Sequence, residues 1–230
     1  MKSFCFIFLF LFSVCGFSQK RERSTEFGGF GGVSYYFGEL NPPAAGQFRF
    51  IHPSFGVLLR RNYNTRFAFK TTLAYGNISG SDAQSGTSVF EKDRNLSFSS
   101  MLIELSQQAE FMFYNFKVMD LNPYFSPYVF AGVSVFYFNP KPKYSGNPKY
   151  SPIAPAFPFG AGMKFKFSHR YLMGIEWGFR KTFTDYLDDV STVYPTGIQR
   201  GFSKNKDWFS FAAITFSIRL GEKPNDCYYN

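Results

Sequence analysis

At 230 residues the chain is long enough for one domain with a full core or for one barrel. An aromatic content of 22%, with 33 Phe and 15 Tyr, excludes a disordered chain and suits β-structure rich in ring-bearing positions. The formal net charge is +9 and the mean hydropathy is slightly negative, so apolar residues are interleaved with polar ones rather than pooled.

The one long apolar run lies at the start, "MKSFCFIFLFLFSVCGFSQ". Lys2 supplies a positive n-region, Phe4 to Val14 the apolar stretch, and Gly16-Phe17-Ser18 a small-x-small cleavage pattern before Gln19. This predicts a secretory signal over residues 1–18, because the run is too short to span a bilayer and no stop-transfer pattern follows. A lipoprotein cleavage at Cys15 is disfavoured by the bulky Val14 in front of it. Cleavage removes Cys5 and Cys15 and leaves Cys227 alone, so no internal disulfide framework forms. It also removes Lys2, taking the net charge from +9 to +8. Positive charge on an exported protein suits lipopolysaccharide phosphates or acidic partners, and export excludes nucleic acid.

Period-two alternation predicts eight strands, roughly Glu26–Gly38, Ser54–Asn62, Arg66–Ile78, Asn95–Phe113, Pro127–Phe138, Phe157–Phe167, Tyr171–Thr182 and Asp207–Leu220. No helical period of useful length competes. The connections are long at 40–53, 79–94, 139–156 and 183–206, tight at 63–65 and 168–170, and intermediate at 114–126. Alternating long and short connections between an even number of antiparallel strands place both termini on one side and the four long loops on the other. The predicted architecture is an all-β, eight-stranded antiparallel transmembrane β-barrel of the outer membrane over residues 19–220, with short periplasmic turns, long extracellular loops and a periplasmic tail at 221–230.

The faces support this plan. Phe157, Phe159, Ala161, Met163, Phe165 and Phe167 alternate with Lys164 and Lys166, and Tyr171, Met173, Ile175, Trp177 and Phe179 continue the pattern after "SHR". In the third run Phe67, Phe69, Leu73 and Tyr75 oppose Ala68, Lys70, Thr72, Ala74 and Gly76. In the fourth, Ile103, Leu105, Phe111 and Phe113 oppose Glu104, Ser106, Gln108 and Glu110, and in the last Ile214, Phe216, Ile218 and Leu220 oppose Thr215, Ser217 and Arg219. The expected inner face thus gathers Lys70, Glu104, Glu110, Lys164, Lys166, Glu176, Arg180 and Arg219. Rings face lipid because hydrocarbon penalises a midplane Lys or Arg by about 2–4 kcal/mol. The alternative, a soluble sandwich or a lipocalin-like barrel, exposes the ring stripes or buries most of the charges. Eight strands enclose a lumen that side chains fill, which excludes a general diffusion pore.

Few residues carry chemistry. His169 sits in a tight turn and reads as a solvated residue. His52 and Ser54 in "HPSFG" form a His-x-Ser pair of the kind in which imidazole activates a hydroxyl, as in small outer-membrane lipid A deacylases, but no orienting acid accompanies them. Asp185, Asp188 and Asp189 in "DYLDDVSTVY" offer calcium its preferred oxygen ligands at a spacing that matches no standard calcium loop. Lys141, Lys143 and Lys149 read as a solvated, proline-stiffened loop. The glycines of "EFGGFGGVSYYFGEL" precede no helix and form no phosphate cradle. No catalytic, cofactor or metal site is predicted.

Four blocks carry a resemblance: "GGVSYYFGELNP" (31–42), "RNLSFSSMLIELSQQAEF" (94–111), "SPYVFAGVSVFYFNP" (126–140) and "GIEWGFRKTFTDYLDDVSTVY" (174–194). Together they resemble the PorG-like outer-membrane β-barrels of the Bacteroidota type IX protein secretion system, in order along nearly the whole mature chain. The resemblance implies a non-enzymatic barrel that associates with the periplasmic ring of lipoprotein and partner subunits. The expected partner contacts are Asp120 and Asn122 in the medium turn, Tyr228 and Tyr229 in the tail, and Asp185, Tyr186, Asp188 and Asp189 in the last outer block. The alternatives are an adhesin or envelope-integrity barrel acting through its outer loops and, behind it, a lipid A-modifying enzyme centred on His52 and Ser54.

Overall fold

The computed structural model describes residues 24–37, 50–81, 97–116, 124–142, 152–183 and 208–220. They form β1 (Ser24–Phe37), β2 (His52–Asn62), β3 (Phe67–Ser81), β4 (Ser97–Met112), β5 (Phe125–Pro142), β6 (Ile153–Lys166), β7 (Tyr171–Thr182) and β8 (Trp208–Leu220). Each strand pairs antiparallel with its neighbours in chain order, and β1 pairs with β8 from Thr25↔Leu220 to Phe37↔Trp208, which closes the barrel. Closure leaves no sheet edge unpaired. The predicted signal segment and the tail at 221–230 lie outside the described residues.

The observed β7 has its expected bounds, whereas β5 and β6 are each longer than expected. The Gly-, Pro- and Ser-rich stretch 139–156 suggested a longer break. The register instead runs through Pro155, opposite Val135, and Pro158, opposite Arg180. The β5–β6 ladder is interrupted between Ala131↔Phe159 and Ser134↔Ala156, at the level where Pro158 has no N–H to donate.

One end of the barrel carries the tight turns and the two outermost strand termini. Tyr63 N–H donates to Phe67 O at 2.9 Å, and Asn64 Oδ1 accepts from the N–H groups of Arg66 and Phe67. This side-chain bridge stabilises a short reversal without glycine. Phe167 N–H closes the β6–β7 turn on Tyr171 O at 3.1 Å. The β4–β5 connection starts at the same end, where Phe116 N–H donates to Thr65 O and Arg66 Nε to Asn115 Oδ1. The opposite end gathers the long connections.

Burial is inverted relative to a water-soluble protein. Leu73, Leu105, Trp177 and Phe216 expose 48%, 56%, 56% and 51% of their surface, whereas Glu26, Lys70 and Glu110 expose none. Outward rings pair side by side along the wall, as Phe67 does with Phe111 at 5.1 Å and Phe55 with Tyr75 at 5.1 Å. Tyr63, Tyr114, Tyr124 and Tyr171 are exposed around the turn end, the position an interfacial aromatic girdle occupies. A soluble molecule does not expose such a belt while sequestering its ions. The wall is that of a barrel seated in hydrocarbon.

Candidate functional site in the lumen and at the rims

All eight charged residues assigned to the inner face are buried or nearly so. In the half nearer the tight turns, Glu110 and Lys164 meet two residues that alternation had not assigned to the lumen, Arg60 and Glu26. Glu26 accepts from Arg60 Nη1 at 2.9 Å, Lys164 Nζ at 2.6 Å, Asn62 Nδ2 at 2.7 Å and Ser217 Oγ at 3.2 Å. Arg60 also clamps Glu110, with Nε–Oε2 at 2.8 Å and Nη2–Oε1 at 3.2 Å. Lys70 Nζ bridges Glu110 at 3.3 Å and Glu176 at 2.6 Å, and Tyr128 hydroxyl donates to Glu176 at 2.9 Å. Every strand from β1 to β8 therefore places a side chain in one connected network. Three carboxylates, Glu26, Glu110 and Glu176, face Arg60, Lys70 and Lys164, so each of these six charges finds an opposite one.

Bulky groups in this half fit because the facing wall has no side chains. A Cβ at Gly160 or Gly178 would lie 2.8 or 2.5 Å from Phe130 Cζ, and one at Gly162 would lie 2.6 Å from Tyr128 Cζ. Below the network, Phe116 folds in from the β4–β5 turn and is 2% exposed. Lys166 and Lys164 lie over its ring at 4.1 and 5.2 Å from the centroid. The turn thus caps the lumen with one ring.

The half nearer the long connections is apolar, although the inner face expected from alternation was marked only by its charged residues. Tyr36, Ile78, Leu102, Phe136, Phe138, Phe209 and Phe211 pack there as one cluster. Phe136 meets Phe209 edge-on at 5.4 Å and Phe138 at 5.5 Å. Alternation does not mark these rings because both faces of "YVFAGVSVFYF" are apolar. Among the described residues an ion pair also lies in this half. Arg180 Nε lies 3.2 Å from Glu104 Oε2, Nη1 donates to Gly178 O at 2.8 Å, and the guanidinium covers Phe211 at 4.6 Å. Between the halves Thr72, Ser106 and Gln108 form a thin polar layer in which Gln108 Nε2 donates to Ser106 Oγ at 3.0 Å. The lumen is filled by side chains along its length.

His52 does not engage Ser54. Its Nε2 shares a 2.7 Å hydrogen bond with Ser79 Oγ across the β2–β3 hairpin, while Ser54 Oγ is buried without a hydrogen-bond partner among the described residues. No hydrogen bond joins His52 to Ser54, so the described residues do not assemble the His-x-Ser pair as a nucleophile–base unit. His169 is exposed in its turn, as expected. The candidate partner contacts Asp120, Asn122, Asp185, Tyr186, Asp188, Asp189, Tyr228 and Tyr229 all lie outside the described residues, as does the calcium-type cluster. Among the described residues no three His, Cys, Asp or Glu side chains are grouped to hold a metal ion.

Among solved structures, Ail of Yersinia pestis in complex with the heparin analogue sucrose octasulfate is 13% identical at a TM-score of 0.44, covering 88% of this chain and 100% of that one. Neisserial surface protein A is 8% identical at a TM-score of 0.46, covering 86% and 97%. OprG of Pseudomonas aeruginosa is 11% identical at 0.43, covering 87% and 96%. No curated protein matches the sequence. A family model matches residues 5–229, nearly the whole chain, and the protein belongs to that family, described as a domain of unknown function, DUF6089.

Proposed function

We propose that the protein is a non-enzymatic outer-membrane barrel of the type IX protein secretion system that associates with the periplasmic lipoprotein ring. The observation that carries this reading is the filled lumen. A cylinder packed with an ion network at one end and rings at the other has no conduit to offer, so its work falls to its rims and outer wall. The PorG-like resemblance of the four sequence blocks supplies the system in which a scaffold of this kind serves. In this reading the tight turns, the Phe116 cap and the tail face the periplasm, and the long connections face outward. Orientation follows the general plan of short periplasmic turns and long outer loops.

The test is deletion of the gene and affinity purification from native membranes in gentle detergent. The reading expects loss of export of proteins bearing the system's C-terminal signal, and co-purification of ring lipoprotein. Normal export with no ring subunits recovered contradicts it. A second reading, an adhesin or envelope-integrity barrel, is favoured by the gathering of all the long connections at one end. It expects loop deletions to abolish surface binding while export continues. A lipid A-modifying activity is disfavoured by the His52–Ser79 bond, and an unchanged lipid A mass spectrum in a His52→Ala strain would dispose of it.

A further inference from the structure

The outer wall is not uniform. Across β4 to β7 it sinks into an apolar groove of about 980 Å³. Its floor is made by Ala109, Ala131 and Ala161, which follow one another diagonally through the pairs Ala109↔Ala131 and Val129↔Ala161. The wall is thin here, because Gly160 and Gly162 give up their side chains to the rings inside. Phe159, Trp177 and Phe179 raise one bank and Phe111, Met163 and Ile175 the other. Glu176 also reaches the groove, and its carboxylate is already held by Lys70 and Tyr128.

A cation stands one outward step beyond the groove. Outward positions on β7 ascend Ile175, Trp177, Phe179 and Lys181, and Lys181 pairs with Phe157 one outward step beyond Phe159↔Phe179. Lys181 is exposed at the long-connection end, over the Trp208 ring at 5.4 Å, and has no acidic partner among the described residues. The aromatic cluster Phe159, Phe179 and Trp208 beside it marks the level where acyl chains meet headgroups. A hydrocarbon-lined groove, with an ammonium one outward step beyond it that has no acidic partner among the described residues, complements one kind of molecule, a lipid with acyl chains and an anionic phosphate.

We propose that this groove holds a phosphorylated, multiply acylated glycolipid of the lipid A type, with acyl chains against Ala109, Ala131 and Ala161 and a phosphate at Lys181. The choice of glycolipid over phospholipid rests on the outward orientation of the long connections given above. The groove and its cation rest on the wall itself. A structural lipid bound here covers this glycine-thinned stretch of wall, next to the interrupted β5–β6 ladder.

The experiment is native mass spectrometry of the full mature chain, refolded in detergent and titrated with lipid A, dephosphorylated lipid A and phosphatidylethanolamine. Lipid A is expected to give a one-to-one adduct that survives gas-phase activation longest. The double variant Ala131→Phe/Ala161→Phe fills the groove from outside and should lose the adduct, while Val57→Phe on the opposite wall should keep it. Lys181→Gln should weaken lipid A by about fivefold and leave dephosphorylated lipid A unchanged, the effect of one cation near an anionic headgroup. Heat-modifiable mobility on gels confirms that each variant is a closed barrel. Equal retention by the wild type and the filled double variant overturns the site. Retention of phosphatidylethanolamine as strong as that of lipid A overturns the glycolipid assignment. Loss of the type IX reading alone, with these results intact, leaves the lipid site standing.

Discussion

The lumen is filled twice, by different chemistry. Its turn-end half is ionic, and each of the eight strands supplies at least one side chain to a network centred on Glu26, Arg60 and Glu110. Its other half is a cluster of rings in which Phe136, Phe138 and Phe209 meet at 5.4 and 5.5 Å. The difference lies in what each half specifies. Rings gain from being out of water wherever they fit, so the apolar half is tolerant of exchange at constant volume. Buried charges carry a desolvation penalty that only a complete set of partners offsets, so the ionic half tolerates no missing member. A register slip of one residue in any strand would turn its network member toward lipid. The ionic half thus holds strand register, and the apolar half supplies packing.

That contrast is breakable by substitution, with free energy measured by urea unfolding of the barrel in micelles. The largest loss is expected for Arg60→Ala, about 4 kcal/mol, because Glu26 and Glu110 are left charged and buried without their shared partner. Replacing Arg60 and Glu110 together, as Arg60→Met and Glu110→Gln, should cost less than Arg60→Ala alone, since Glu26 keeps Lys164, Lys70 keeps Glu176 and no orphaned charge remains. If the double variant is the less stable, the network is a source of net stability rather than of register.

Phe136→Ala should cost about 3 kcal/mol through lost transfer energy and the cavity left among Phe138, Phe209 and Phe211. Phe136→Leu should recover most of that, and failure to do so would show that the apolar half is as exacting as the ionic one. Gly178→Ala tests the seam between the halves. Its new methyl would meet Phe130 Cζ at 2.5 Å and Arg180 Nη1 at 3.1 Å, for a cost of about 2 kcal/mol of overpacking. The smallest effect, about 1 kcal/mol, is expected for Ile78→Val at the top of the ring cluster.

Much of this barrel was legible before its structure. Where apolar and charged residues strictly alternate, as in "FGAGMKFKF" of β6 and "LIELSQQAEF" of β4, the faces follow from the twofold period of a strand. Lys70, Glu104, Glu110, Lys164, Lys166, Glu176, Arg180 and Arg219 all lie inward as expected. Glu26 and Arg60 escaped because alternation is silent around them. Glu26 precedes the glycines of "FGGFGG", and Arg60 stands beside Arg61, which faces outward. A signal was present in Glu26, since a lone acid in a membrane strand belongs in the lumen. The inward rings were illegible for the opposite reason: with Val129, Val135 and Tyr137 outward and Phe130, Phe136 and Phe138 inward, β5 is apolar on both sides. Phe116 comes from a turn, where period carries no information about direction.

Everything rests on which way the wall faces, and Trp177 reports it. In a Trp208→Phe background reconstituted in bilayers, Trp177 is the sole remaining indole. Its fluorescence should be quenched strongly by lipids brominated along the acyl chain and hardly at all by aqueous iodide. Efficient quenching by iodide with no effect of brominated lipid would place the aromatic wall in water and contradict the account.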